Sequence, residues 1–258
     1  MVREIEGLGP VKASLVSSEF ANMDGAEYYG GKRAIRNIVI KLGLDPDFER
    51  YSVFDLRKEL YGYLMPKSKA ELTFTMRNRF TTDISMQTFK VDIEGVVESL
   101  EPGMFSSEPT VDISILCFQP PFVGQKLLEI DSQTVNDFEE TVVNYEGTVD
   151  TDVLFRLEMF RDMDEGFEIY HRTPSGELKH VYFRNYNLES GDIVTINSKI
   201  GEKFVHVLRN GVEASVLYAV TAQSDWLQLE PGENHIRVNV QGDPLPWRIS
   251  YMNKYGGL

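Results

Sequence analysis

Four histidines, His171, His180, His206 and His235, are the first side chains here that could move protons or hold a metal. Both chemistries need partners at fixed spacing: a second imidazole, a thiolate, or a set of carboxylates. Each histidine instead sits in a strand-like run, with no Cys or second His at ligand spacing. Asp162-Met163-Asp164-Glu165-Gly166 opens like a calcium loop. Such a loop needs Gly at its sixth place and Glu at its twelfth. Here Gly166 is fifth and Thr173 twelfth, so the run reads as a solvated turn. Glu139-Glu140 and Asp162/Asp164 supply carboxylates of the kind a glycosidase uses, but no spacing fixes the separation that chemistry requires. No G-x-S-x-G, Walker A or G-x-G-x-x-G pattern occurs, and Gly7-Leu8-Gly9 lacks the third glycine. The expectation is no catalytic residue, no cofactor-binding residue, no metal ligand and no cofactor.

Cys117 and the two tryptophans complete the chemical inventory. Cys117 lies in the apolar run Ile113–Phe118 and reads as a small buried residue. A single cysteine excludes an internal disulfide framework and a Cys-rich metal site. Trp226 and Trp247 would serve as sugar-stacking platforms if exposed. Among β-strands they read as core or interface filling.

The elements that would position these residues are mostly strands. Tyr28–Gly31 reads as a turn, and Arg33–Lys41 as a strand rich in β-branched residues, broken by Asp45-Pro46-Asp47. Ser52–Leu64 is the one helical pattern. Val53, Leu56, Leu60 and Tyr63/Leu64 share a face, Ser52 can cap it with Asp55 in the reciprocal position, and Met65-Pro66 closes it. Leu56 and Leu60 are expected to pack the helix against the N-terminal β-structure. Glu71–Arg77, Gln87–Glu94 and Val111–Phe118 follow as strands, the last ended by Pro120-Pro121. That pair marks the expected boundary between an N-terminal domain, 1–126, and a C-terminal β-sandwich, 127–258.

Beyond residue 127 short strand patterns recur about every 8–12 residues, as in a sandwich or jelly roll. Asn210-Gly211 is the sharpest signal among them, because both central residues of a type I′ turn need positive φ.

Length and composition agree with two globular domains: 258 residues, 42% hydrophobic and 26% charged. The net charge is -14, but unevenly placed: residues 1–80 carry 13 Lys and Arg against 11 Asp and Glu, and the acidic excess lies beyond. Proteins that bind duplexes carry a basic footprint, so specific nucleic-acid binding is not expected. No apolar run approaches the ~18 residues of a membrane span, and Met1–Gly7 has no signal-peptide core. The reading is a soluble protein of a reducing cytoplasm, without membrane insertion.

Several stretches together resemble the distal tail protein family of long-tailed bacteriophages. Gly31–Gly43 is similar to that family's early strand. Val53–Lys67 is similar to its single N-terminal helix and following Pro, and Ile113–Phe122 to the exit from its first domain. Asn144–Thr148 resembles the opening of its second domain. Gly191–Asn197, Asn210-Gly211 and Leu229–Arg237 resemble its closing sandwich strands. The resemblance covers about residues 28–240. It implies an N-terminal β-barrel-like domain with one α-helix and a C-terminal galectin-like β-sandwich. It further implies a homo-hexameric ring at the tail tip, joining the tail tube protein to tape-measure and tail-tip or receptor-binding proteins around the DNA channel. The family is structural, not enzymatic, and made in the host bacterial cytoplasm. The alternative function is a carbohydrate-binding host-adhesion module. If the N-terminal domain surrounds a channel, Asp83, Asp92, Glu94, Glu98 and Glu101 are expected to offset its basic residues.

Overall fold

Alternation of apolar and polar residues decides nearly every element. The computed structural model describes residues 1–19, 24–47, 49–77, 88–103, 109–135 and 138–258. Asp83 lies outside the described residues. In chain order the elements are β1 (Val2–Glu6), β2 (Ala13–Glu19), β3 (Ala26–Arg33), β4 (Arg36–Gly43), α1 (Val53–Tyr63), β5 (Lys69–Arg77), β6 (Thr88–Pro102), β7 (Thr110–Cys117) and β8 (Phe122–Gln133). There follow β9 (Thr141–Tyr145), β10 (Thr151–Glu158), β11 (Phe167–Arg172), β12 (Leu178–Phe183), β13 (Ile193–Asn197), β14 (Phe204–Arg209), β15 (Val212–Ser215), β16 (Gln228–Leu229), β17 (Gly232–Asn239) and β18 (Pro246–Tyr255). The chain divides into two units: Met1–Val123 with Tyr255–Leu258, and Gly124–Lys254. The return of the last four residues to the first unit has no counterpart in the sequence reading. Leu258 N donates there to Leu8 O at 2.9 Å.

In the first unit, strands run antiparallel in the order β1-β4-β7-β6, with β5 also paired to β6. Their inner face buries Ile38, Val91, Ile93, Val97, Ile113 and Ile115. Each such side chain contributes about 1.5–3 kcal/mol when fully buried. Helix α1 is capped as its sequence requires: the Ser52 hydroxyl accepts from Asp55 N at 3.3 Å, and Asp55 Oδ2 accepts from Ser52 N at 2.9 Å. Leu60 and Leu64 pack on the core, whereas Leu56 is only partly covered and no helical residue is fully buried. The pattern therefore found the right face but overstated its burial.

Tyr28–Gly31 is no turn. It lies inside β3, which pairs with β2 in a separate two-stranded hairpin carrying a bulge between Val16 and Ser17. The bulge disguises the pairing, since it breaks the two-residue alternation that marks a strand.

The second unit is a sandwich of antiparallel strands. One sheet runs β8-β18-β10-β13-β14-β15 with β16 beside β10, and the other runs β12-β11-β17-β9. Phe155, Leu157, Trp247 and Ile249 from the first face Phe167, Ile169, Ile236 and Val238 from the second in one core. Phe167 stacks on Phe183 with centroids 4.8 Å apart. Asn210 (φ 50) and Gly211 (φ 79) form the tight turn between β14 and β15, as two positive φ values require. The fold is mainly β, with one α-helix among the described residues.

Candidate functional site

Two regions, one in each unit, carry polar or apolar groups beyond what packing needs. In the first unit Arg36 stands at the start of β4, 1% exposed. Its guanidinium donates to the carbonyl oxygens of Pro120, Gly7, Gly9 and Gly256 at 2.5–2.7 Å and lies 4.2 Å from the Phe122 ring centroid. Burial lowers its pKa, partly offset by the neighbouring Cys117, yet an arginine stays charged at any ordinary pH. This cation is satisfied by main-chain dipoles and a ring face, so it acts as a tie for three loops rather than a reactive group.

The outer face of the same sheet is acidic. Register sets Glu71 directly opposite Glu94, and Glu101 opposite Asp112. Asp92 accepts from the Thr73 hydroxyl at 2.6 Å, and Glu98 from Ser114 at 2.8 Å. The β2–β3 hairpin meanwhile exposes Leu15, Val16, Tyr28 and Tyr29. A lone two-stranded hairpin is marginal in water, so such rings and methyls call for a covering partner.

In the second unit the outer face of β12-β11-β17-β9 gathers aromatic and charged side chains in register. Tyr170 pairs with His180 on one side and Arg237 on the other, and Glu168 likewise with Tyr182 and Asn239. The His180 ring stacks on Tyr182 (centroids 5.6 Å apart) and meets Tyr170 edge-on at 4.8 Å. The Arg237 guanidinium lies 4.3 Å from the Tyr170 centroid and 5.0 Å from that of Phe138. Glu168 binds Arg184 and accepts from the Tyr170 hydroxyl, which pushes the phenol pKa up. Glu140 binds Arg172, whose hydrogen bond holds the carboxyl below its usual range, and meets His235 at 3.3 Å. A depression of about 510 Å³ at the end of this sheet is lined by Glu165, Gly166, Glu168, Arg184, Asn239 and Gln241, among others.

The other residues singled out in the sequence have structural placements. His171 is buried, with Nε2 2.9 Å from Asn234 Oδ1, and burial lowers its pKa. His206 meets Glu213 at 2.9 Å on the β14–β15 hairpin. Cys117 is buried and free, and burial raises its thiol pKa. Trp247 is core, 2% exposed, while Trp226 packs on that core with Lys203 over its ring at 4.7 Å. In the 162–166 turn, Asp162 accepts from Ser190 N at 2.8 Å. Gly166 (φ 73) closes that turn so tightly against Phe183 O that a Cβ would sit 1.9 Å from it. No group of three or more His, Cys, Asp or Glu is arranged for a metal among the described residues. Sequence reasoning missed Arg36, Arg237, Tyr170 and Tyr182. The last three stand at solvent-side positions of the alternation, where one strand's sequence does not reveal its neighbour's.

Residues 146–255 match the family model described as the siphovirus-type tail component, C-terminal domain, and the resemblance to distal tail proteins is thereby borne out. Over the whole chain the fold is that of Dit. The crystal structure of the SPP1 Dit protein, described as a paradigm of the hub adsorption apparatus in phages infecting Gram-positive bacteria, superposes with a TM-score of 0.68 at 18% identity. The match covers 98% of this chain and 93% of that one. The phage P2 baseplate in its activated conformation with Ca matches at a TM-score of 0.46 and 8% identity, over 100% of this chain and 91% of that one. No curated protein matches the chain significantly.

Proposed function

We propose that this protein is a structural hub subunit of a siphovirus distal tail, without catalysis. The observation that carries the reading is the tail-component match over residues 146–255 joined to a Dit fold spanning nearly the whole chain. Six copies form a ring around the DNA channel at the virion's tail tip. The N-terminal domain, residues 1–126, makes the ring, and the sandwich, 127–258, faces outward. The ring joins the tail tube to the tip and receptor-binding proteins, with the tape-measure protein as a further neighbour. The exposed hairpin β2–β3 supports a ring built by the first domain. Its apolar side chains suit a heterologous contact with the next copy, and closure by rotation leaves no subunit with an uncovered hairpin.

The test is the solution mass of the purified chain. Native mass spectrometry should give six times 29.5 kDa, and negative-stain images a six-fold ring. A monomer at every concentration overturns the ring. The second reading, a carbohydrate-binding host-adhesion module, loses Trp247 as a platform to the core and rests on the ring-bearing face of the four-stranded sheet instead.

A further inference from the structure

Tyr255, the last residue of β18, opens a four-residue stretch that belongs to the first unit, although the strand before it belongs to the second. Two of the four residues, Gly256 and Gly257, are glycines, which lose more backbone freedom on ordering than any other residue. A short stretch beyond the last element stays poorly ordered unless something ties it down. Here all four residues are at least partly buried, and each is held by a different contact. The Tyr255 ring meets Phe89 edge-on with centroids 4.9 Å apart. Gly256 O accepts from Arg36 Nη2 at 2.7 Å. Gly257 lies so close to Pro10 that a Cβ would sit 2.7 Å from the proline nitrogen. Leu258 N donates to Leu8 O at 2.9 Å, and the Tyr255 and Leu258 side chains pack on the first unit's core.

These contacts converge on the buried cation of that core. Arg36 is 1% exposed and stands opposite Cys117 in the β4–β7 register. Its Nη1 and Nε donate to Gly7, Gly9 and Pro120, all early in the chain. Its Nη2 has no acceptor among the described residues except Gly256, 220 residues further on. A charged donor buried without an acceptor costs more than a neutral one. The first unit therefore lacks, until residue 258 is in place, both a partner for its buried charge and two of the side chains that cover its core.

We propose that Tyr255–Leu258 is a strap that closes the first unit, so that the part of the chain made first reaches its native packing only after the second unit is complete. Order of synthesis is thereby converted into order of closure, and an unfinished chain does not present the native surface of its first unit. The proposal stands on contacts within that unit and needs neither the ring nor the hub reading.

The chain carries its own probes for a test. Cys117, its single cysteine, is fully buried in the first core, and both tryptophans, Trp226 and Trp247, lie in the second unit. Iodoacetamide labelling read by mass thus follows opening of the first unit, and tryptophan emission follows the second. A chain ending at Lys254 should label Cys117 faster than the full chain by about tenfold or more, because closure loses a charge-assisted hydrogen bond and two apolar contacts. Its urea midpoint by tryptophan emission should not move. In the full chain, Gly257→Ala should speed labelling by a smaller factor, and it carries the test if the shortened chain does not fold. On refolding from urea, the full chain should protect Cys117 no earlier than the tryptophan signal recovers. Equal labelling of the shortened and full chains overturns the strap, as does unchanged labelling in the Gly257→Ala variant. Protection of Cys117 ahead of the tryptophan signal overturns the order of closure. A tryptophan midpoint that falls together with faster labelling makes the stretch a support of the whole molecule and overturns the proposal as well.

Discussion

At the scale of single residues, the two most consequential cations are held in opposite ways. Arg36 has four carbonyl partners and no carboxylate. Arg36→Met keeps much of the volume but removes every donor from those carbonyls, so urea unfolding followed by far-UV circular dichroism should show a loss of about 3 kcal/mol or more. Arg36→Lys should recover little, because a point ammonium cannot reach four acceptors spread around a planar fork. Arg209 instead grips Asp192, with Nε to Oδ1 at 2.9 Å and Nη2 to Oδ2 at 2.6 Å, while Glu189 N donates to the same carboxylate at 2.9 Å. Burial alone would raise the Asp192 pKa; the Arg209 and Glu189 hydrogen bonds outweigh it and leave it lowered. The Asp192 side chain is 1% exposed and that of Arg209 31%, so the two truncations are unequal. Arg209→Met strands a buried charge and should cost about 3 kcal/mol, whereas Asp192→Asn leaves an arginine that water can reach and should cost about 1–2 kcal/mol. A depressed carboxylate stabilises the fold fully above its unfolded pKa of about 3.9. That stability should disappear as pH falls through the lower folded value, and the Asp192→Asn variant should lose less of its stability over the same acid range. A parallel acid dependence in both proteins would refute the assignment.

At the scale of elements, what could be read in the sequence was whatever has a local cause. The Ser52 cap with Asp55, the Asn210-Gly211 turn and the alternation of β10, β11 and β13 depend on neighbours a few residues apart, and each is found in place. The β2–β3 hairpin escaped because its residues face solvent on nearly every side, which erases the buried-face alternation, and its bulge shifts the phase. β8 escaped for another reason: Pro120-Pro121 ends β7, but a new strand starts at Phe122, so the prolines are a turn between strands. The candidate face on β11, β12 and β17 was not legible at all. Tyr170, His180 and Arg237 are far apart in sequence and meet only through strand register. Helix α1 shows how pattern can outrun burial. Leu60 is partly buried against the core, so Leu60→Ala should cost about 1–2 kcal/mol, below the 2–5 kcal/mol of a fully enclosed leucine. Leu56→Ala should cost less again, and Ser52→Ala about 1 kcal/mol through loss of the cap. Equal losses for Leu56 and Leu60 by denaturant titration would mean that the helix seats differently.

At the scale of the whole molecule, charge decides how the proposed ring would behave toward DNA. Duplex DNA binds proteins that release its counterions, and a chain of net charge -14 has little to offer that exchange. The first eighty residues are nearly balanced, however, so the outcome rests on the described face of β5, β6 and β7. There Asp92, Glu94, Glu98 and Glu101 lie on or beside one strand, with Glu71 and Asp112 across from it. Opposed like charges in register destabilise a sheet by a few tenths of a kcal/mol, a cost with no return in packing. A place on the wall of the proposed channel would supply the return, since a wall that repels phosphate lets DNA slide without adhering. Purified protein should therefore show no duplex binding at physiological salt, weaker than the ~10⁻⁴–10⁻⁶ M of ordinary non-specific binders, and lowering the salt should not rescue it. Glu71→Lys with Glu94→Lys turns one opposed acidic pair basic, replacing two negative charges per subunit with two positive ones. If this face lines the channel, the double variant should retain duplex DNA in a salt-dependent way, while the same number of lysines placed on the acidic surface of the second unit should not. Retention by both variants alike would mean that net charge, not the lining, governs contact, and tight salt-sensitive binding by the unmodified protein would refute an electrostatically smooth channel altogether.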